Sequence, residues 1–171
     1  NEPKPADGNL PAKPLKQQVN KADVFINGEP GTYFAYSFAT CCNPVQGDPI
    51  FAYVTANKEG VKIHRTTCPN APFLLANYEY RVMKAEWGAT VKADFVAAIL
   101  VTGIDAGPGV IQQITDRISG LGINIRSFSI TGEGGYFEGR ISLVVANTHQ
   151  LNQAILALKS FKFVANVSRM E

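Results

Sequence analysis

The chain has 171 residues and 46% hydrophobic content, enough for one globular domain or two small ones. A formal net charge of +2 is too small for nucleic-acid binding by bulk electrostatics and leaves open only a local basic face. Three cysteines, two of them adjacent, with no secretory apolar region argue against a disulfide scaffold and for a reducing cytoplasm.

The chain opens at Asn1 on a polar stretch and reads as a piece of a longer protein, with any chemistry lying outside it. Residues 1–20 hold four prolines and little apolar material, which cannot offset ordering entropy, so a flexible linker is expected. Residues 21–90 read as a small β-rich module containing all three cysteines. Asn27-Gly28 is a turn signal between two β-prone runs, and Phe34, Tyr36 and Phe38 alternate to one face. Strands over about 50–55 and 61–64 flank a loop containing Asn57 and Gly60. Val61 and Ile63 then point to one side of the sheet, Lys62 and His64 to the other. "APFLLAN" predicts a short helix over 71–77, and "YRVMKAEW" a closing strand.

From 91 to 171 the rhythm changes. "KADFVAAILVTGID" predicts a strand; its apolar run is far shorter than a membrane span, so no membrane partner is expected. "PGVIQQITDRISGLG" predicts a helix with Val110, Ile114, Ile118 and Leu121 on one stripe, Pro108 in its first turn and Gly122 at its end. "INIRSFSI", "YFEGRISLVVA" and "KFVANVSR" predict strands, the first two joined by the turn "TGEGG". "THQLNQAILALKSF" predicts a helix carrying Leu151, Ile155 and Leu158, with Thr148 as N-cap. The order βαββαβ gives an α+β chain with a ferredoxin-like sandwich at its end. In the first of these strands Phe95, Ala97, Ile99 and Val101 can face the helices, but Val96, Ala98 and Leu100 are too apolar for a wetted face. Either the small module or a second copy of the sheet covers them.

Cys41, Cys42, His64 and Cys68 supply the four ligands of a tetrahedral zinc site. There is no CxxC knuckle, and adjacent cysteines point to opposite faces unless the chain turns there. The residue pattern alone favours buried cysteines acting as small apolar residues, with His64 capping a loop. A catalytic Cys–His pair lacks an orienting Asn or Asp, and a vicinal disulfide ranks last. His149 reads as solvated, the glycine-rich loops match no nucleotide fingerprint, and the acids are dispersed, so no catalytic residue is expected. "GIDAGPGVI" is different. Glycines 103, 107 and 109 and a helix start near Pro108 can seat a carboxylate, and Asp105 can meet an ammonium group, which suits an amino acid. The alternative is a tight turn whose glycines merely permit packing.

Two stretches together resemble one family. "CCNPVQGDPIFAYVTANKEGVKIHRTTCPNA" resembles the cysteine-bearing module in the C-terminal half of RelA/SpoT-type proteins, synthetases and hydrolases of the alarmone (p)ppGpp. The shared positions include Cys41, Cys42, Pro44, Gly47, Asp48, Gly60, His64, Arg65, Cys68 and Asn70. Residues 91–171 resemble an ACT domain, with "GINI" and "YFEGRISLVV" fitting its second and third strands.

The resemblance implies a non-catalytic regulatory fragment of a GTP pyrophosphokinase acting in the stringent response. Its parent would transfer pyrophosphate from ATP to GTP or GDP, with or without ppGpp hydrolysis, through upstream catalytic domains of the same chain. The fragment would relay ribosome, tRNA or amino-acid status to those domains in the cytoplasm. The resemblance sets zinc on Cys41, Cys42, His64 and Cys68 level with the apolar reading. It implies that the cysteine module contacts ribosomal RNA, and the exposed basic residues expected to touch phosphate there are Lys62, Arg65 and Lys84. It also implies an ACT homodimer whose amino-acid seat joins Asp105, Ala106, Gly107 and Gly109 to Asn124 and Ile125 across the interface. The family's Asp-Arg-x-Gly is replaced here by Asp105-Ala-Gly-Pro-Gly. Two other functions stay open: a stand-alone amino-acid-sensing dimer, and an RNA-binding module of RRM-like order. The second finds only Phe128, Tyr136 and Phe137 for base stacking and has no RNP signature.

Overall fold

In the computed structural model, Asn27 and Gly28 take φ angles of 51° and 80° and reverse the chain between β1 (Val24–Ile26) and β2 (Glu29–Pro30). Two successive positive φ angles match the right-handed twist of a hairpin, which is why Asn-Gly is selected there. The structure describes residues 24–56, 60–88 and 94–170. The expected linker 1–20, Asn57 and the 90/91 boundary lie outside the described residues.

The first sheet is completed by β3 (Tyr36–Phe38), β4 (Ile50–Val54), β5 (Val61–Arg65) and β6 (Val82–Trp87), in the order β2-β1-β6-β4-β5-β3. Its pairs are antiparallel except β3 with β5. One face buries Val24, Ile26, Ala52, Val61 and Ile63, with Phe34, Tyr36 and Phe38 packed against them. The other carries Phe51 and His64, directly paired in register, and is covered by Cys42, Cys68 and Ala71 at the start of α1 (Ala71–Asn77).

The second sheet is built from β7 (Phe95–Ile104), β8 (Asn124–Glu133), β9 (Tyr136–Val145) and β10 (Val164–Arg169), all antiparallel in the order β10-β7-β9-β8. With α2 (Val110–Gly120) and α3 (Thr148–Lys159) this is the expected βαββαβ sandwich. Phe95, Ala97, Ile99 and Val101 are buried with Ile114 and Ile118 of α2 and Leu151, Ala154 and Leu158 of α3. Each large apolar side chain so removed from water contributes about 1.5–3 kcal/mol.

Two local expectations are corrected. α3 is capped by Asn147, whose side chain accepts from the Gln150 N–H at 2.9 Å, because the chain is still extended there and Thr148 is already helical. Ala154 joins Leu151 and Leu158 in the fully buried stripe of α3, and Ile155 packs against it half-buried. α2 begins at Val110, so Pro108 stands outside it and Leu121 falls beyond its end, partly exposed.

The two modules meet at the end of the sandwich. Val45 is fully buried in the second core, and the stacked rings of Phe38 and Trp87, 5.5 Å apart, both stand edge-on to Phe95. This docking lies on the helix-facing side of β7. Val96, Ala98 and Leu100 on its outer face stay half-exposed, so the small module is not their cover. No helix among the described residues is long and apolar enough to cross a membrane.

Candidate metal centre

Thr40, Cys41 and Cys42 lie in a turn closed by the Asn43 N–H donating to the Ala39 carbonyl at 3.1 Å, with Asn43 itself at φ 43°. The turn removes the objection that adjacent cysteines diverge. His64 projects from β5 toward the same point, its ring stacked on Phe51 at 5.4 Å and met edge-on by Tyr53. Cys68 arrives from the bend after β5, where its N–H donates to Arg65 O at 3.0 Å and its carbonyl accepts from Ala71 N at 2.9 Å.

The four donor atoms lie within 4.8 Å of one another. Cys41 Sγ is 3.4 Å from His64 Nδ1 and 3.5 Å from Cys68 Sγ, and Cys42 Sγ is 4.0 Å from His64 Nδ1. Zinc–sulfur and zinc–nitrogen bonds of about 2.3 and 2.0 Å require tetrahedral edges of ~3.6–3.8 Å, and the three close separations lie within about half an ångström of those edges. Among the described residues no other group of three or more His, Cys, Asp or Glu is so arranged.

The electrostatics fit as well. Burial pushes the Cys42 thiol up to about 12, against the N–H of Arg65 that donates to its sulfur at 3.3 Å. Burial, helped by the neighbouring Cys68, also raises Cys41. Burial first and nearby Lys62 second lower His64, which keeps its imidazole neutral and ready to donate a lone pair. Three free thiols and one neutral imidazole form a closed S₃N set, the composition of a structural zinc site rather than an open catalytic one. The sulfurs converge on His64, while Cys42 and Cys68 are at the same time packed in an apolar cluster with Ala39, Phe51 and Ala71, so the geometry accommodates both the ligand reading and the apolar one.

The expected basic face is divided. Lys62 and Lys84 share the His64 side of the sheet; Lys62 Nζ donates to Ser37 Oγ at 2.7 Å, and Lys84 pairs with Glu86 at 3.0 Å. Arg65 is only 4% exposed, because strand alternation puts it on the side of Val61 and Ile63. The expectation of an exposed Arg65 is thus corrected. Sequence reasoning missed the aromatic group beside these lysines. Tyr53, Phe73, Tyr78 and Tyr80 form an edge-to-face chain, and the Arg81 guanidinium lies 5.6 and 5.5 Å from the rings of Tyr78 and Tyr80. The spacing "YEYR" was its signal.

In the second module Asp105, Gly107 and Gly109 line a cleft of about 240 Å³ floored by Ile111, Ile130 and Phe137. Ala106 belongs to this loop but is not among the lining residues. Asp105 Oδ1 accepts from its own loop, from Gly107 N at 3.1 Å. Asn124 and Ile125 pair with Val144 and Leu143, whereas Ile104, beside the loop, pairs with Tyr136 at the opposite end of β9. One chain therefore does not bring the two halves of the expected seat together. His149 is exposed, as read from sequence.

Also missed was an ion pair spanning 121 residues: Arg169 Nη1 donates to Asp48 Oδ1 at 2.7 Å.

Comparison with known proteins divides the chain the same way. The sequence model of the RelA/SpoT RIS domain matches residues 24–88, and that of the ACT domain matches 92–169. The bifunctional (p)ppGpp synthase/hydrolase RelA of Mycobacterium tuberculosis is 28% identical over 162 residues, which cover 94% of this chain and 21% of that protein. A GTP pyrophosphokinase of Streptomyces coelicolor is 30% identical over 133 residues, 77% of this chain and 15% of its own length. The crystal structure of the ACT domain from the GTP pyrophosphokinase of Chlorobium tepidum is 32% identical, covers 45% of this chain and 99% of its own, and has a TM-score of 0.42. The chain spans only about a fifth of the length of the curated relatives it matches.

Proposed function

The chain belongs to the RelA/SpoT family, and from that premise we propose that it is the regulatory region of a GTP pyrophosphokinase, built around a structural zinc site. In this reading it carries no chemistry of its own and relays ribosome or amino-acid status to catalytic domains of the same protein. Those domains would transfer pyrophosphate from ATP to the 3′ hydroxyl of GTP or GDP.

The observation that carries the reading is the convergence of Cys41, Cys42, His64 and Cys68, with donor atoms within 4.8 Å of one another. Bound there, zinc supplies a cross-link between the 40–43 turn, β5 and the segment leading into α1. The residues do the rest. Phe51 and Tyr53 fix the His64 ring, Arg65 N–H holds the Cys42 sulfur, and burial keeps water from Cys42, His64 and Cys68. A small module with so short a set of strands gains from such a staple.

Elemental analysis should find one zinc per purified chain, lost on Cys42→Ser. A chain that stays metal-free after refolding with zinc would sink the metal part of the proposal. In the full-length protein, Cys42→Ser should leave basal pyrophosphate transfer intact and remove its response to ribosomes; an unchanged response would sink the relay.

The cleft beside Asp105 favours a second reading, an ACT dimer that seats an amino acid between this loop and Asn124–Ile125 of a second copy. Its apolar floor of Ile111, Ile130 and Phe137 suits an aliphatic side chain. Calorimetric titration with the twenty amino acids should give heat for at least one; silence with all of them removes this reading.

A further inference from the structure

Arg169 is the last residue of β10, yet its guanidinium lies against the segment that carries Cys41 and Cys42. Its two terminal nitrogens grip the Asp48 carboxylate fork-to-fork, at 2.7 and 2.9 Å. Nη2 also donates to the carbonyl of Asn43 at 3.0 Å, the residue directly after Cys42. Asp48 passes the constraint on: its Oδ2 accepts from Val45 N at 2.7 Å, and its carbonyl accepts from Trp87 Nε1 at 2.8 Å. Both partners are largely shut from water, with side chains 17% and 9% exposed. A buried pair of this kind is a costly way to add stability but an effective way to fix geometry, because loss of either partner strands the other.

Asn43 sits at φ 43°, in the left-handed region that asparagine adopts more readily than other non-glycine residues and that a contact from its surroundings can hold. The Arg169 bond to its carbonyl is one such hold, and it comes from the second module. Groups that orient metal ligands from outside the coordination sphere commonly govern affinity. We propose that Arg169 is a positioning residue for the metal centre: the final strand of the ACT domain holds the Cys41–Cys42 turn in ligand geometry, so that metal affinity and the ACT fold are coupled. This rests on the zinc reading of the four-residue cluster. The coupling is reciprocal, so zinc steadies β10 as much as β10 favours zinc.

The test uses the intact 171-residue chain, with zinc affinity read by competition against a chromophoric chelator. Arg169→Met should weaken zinc binding by roughly tenfold or more, the usual effect of losing an outer partner. Arg169→Lys, which keeps the charge but not the fork, should fall between. Phe38→Leu trims the ring contact between the modules while keeping the Arg169 fork and its bond to Asn43, and should stay within about twofold of wild type. Zinc should also slow amide exchange along β10 in wild type and leave it unchanged in Arg169→Met. Wild-type affinity in a folded Arg169→Met chain, or an equal loss in Phe38→Leu, overturns the proposal. Where Arg169→Met does not fold, undiminished affinity in Arg169→Lys overturns it. A wild-type chain that takes up no zinc removes the zinc reading and this inference together, whereas tight wild-type binding with no effect of Arg169 removes this inference alone.

Discussion

Cys41 Sγ stands 3.4 Å from Nδ1 of His64, twenty-three residues away, and burial disfavours the charged form of both groups. Burial raises the thiol and lowers the imidazole. A metal ion must therefore displace protons from sulfur but none from His64. Zinc uptake is expected to release protons at neutral pH, more than one per ion, and zinc affinity to rise steeply with pH. Calorimetry in buffers of different ionisation enthalpy counts the protons. A pH-independent affinity between pH 6.5 and 8 would show that the sulfurs are not the ligands.

The chelated chain should respond to pH from both sides. His64 has a folded value below its ordinary 6.5, so its contribution is present above that value and fades as pH falls through the folded one. Cys42 has a folded value of about 12 against an ordinary 9.0, so its contribution is present below 9 and fades as pH rises toward 12. Melting temperature in chelator should thus hold a plateau between about pH 6.5 and 9 and fall on each side. His64→Phe, which keeps an aromatic ring on Phe51, should remove the acid-side fall, and persistence of that fall would assign it to other groups.

Lys62 and Lys84 share one side of the first sheet, while Arg65 is buried on the other. If this side meets ribosomal phosphate, Lys62→Glu with Lys84→Glu should reduce ribosome pelleting and lower the salt dependence by about one unit of slope per lysine. Arg65→Lys should affect folding instead. Equal pelleting by the double variant and the wild type would move the contact elsewhere, with the aromatic chain around Arg81 as the next surface to alter.

The elements of this chain were legible because their signals are local. Asn27-Gly28 dictated a turn, the 3.6-residue spacing of Ile114 and Ile118 dictated a helix, and the alternation of Phe95, Ala97, Ile99 and Val101 dictated a strand face. The identities of the four ligand residues were legible too, but not their convergence, which depends on a positive φ at Asn43, and Asn carries no obligation to adopt one. The docking of Val45 and the Asp48–Arg169 pair were hidden for a different reason. Partners separated by 121 residues leave no periodic trace, and a buried carboxylate reads in sequence like any surface acid.

The single tryptophan gives that docking its own reporter. Trp87 stacks on Phe38 at 5.5 Å, meets Phe95 edge-on and donates its indole N–H to Asp48 O at 2.8 Å, so its emission depends on the contact between the modules. Phe95 belongs to the second core and Phe38 packs against both. Unfolding in urea should therefore give one transition, coincident by Trp87 fluorescence and by far-ultraviolet ellipticity. Phe38→Ala deletes the ring that joins the two cores. Because Phe38 is only half-buried, its loss should cost roughly 2–3 kcal/mol, less than a fully enclosed phenylalanine, and should pull the two transitions apart. Separate transitions already present in the wild-type chain would mean that the modules unfold independently and that the aromatic contact couples nothing.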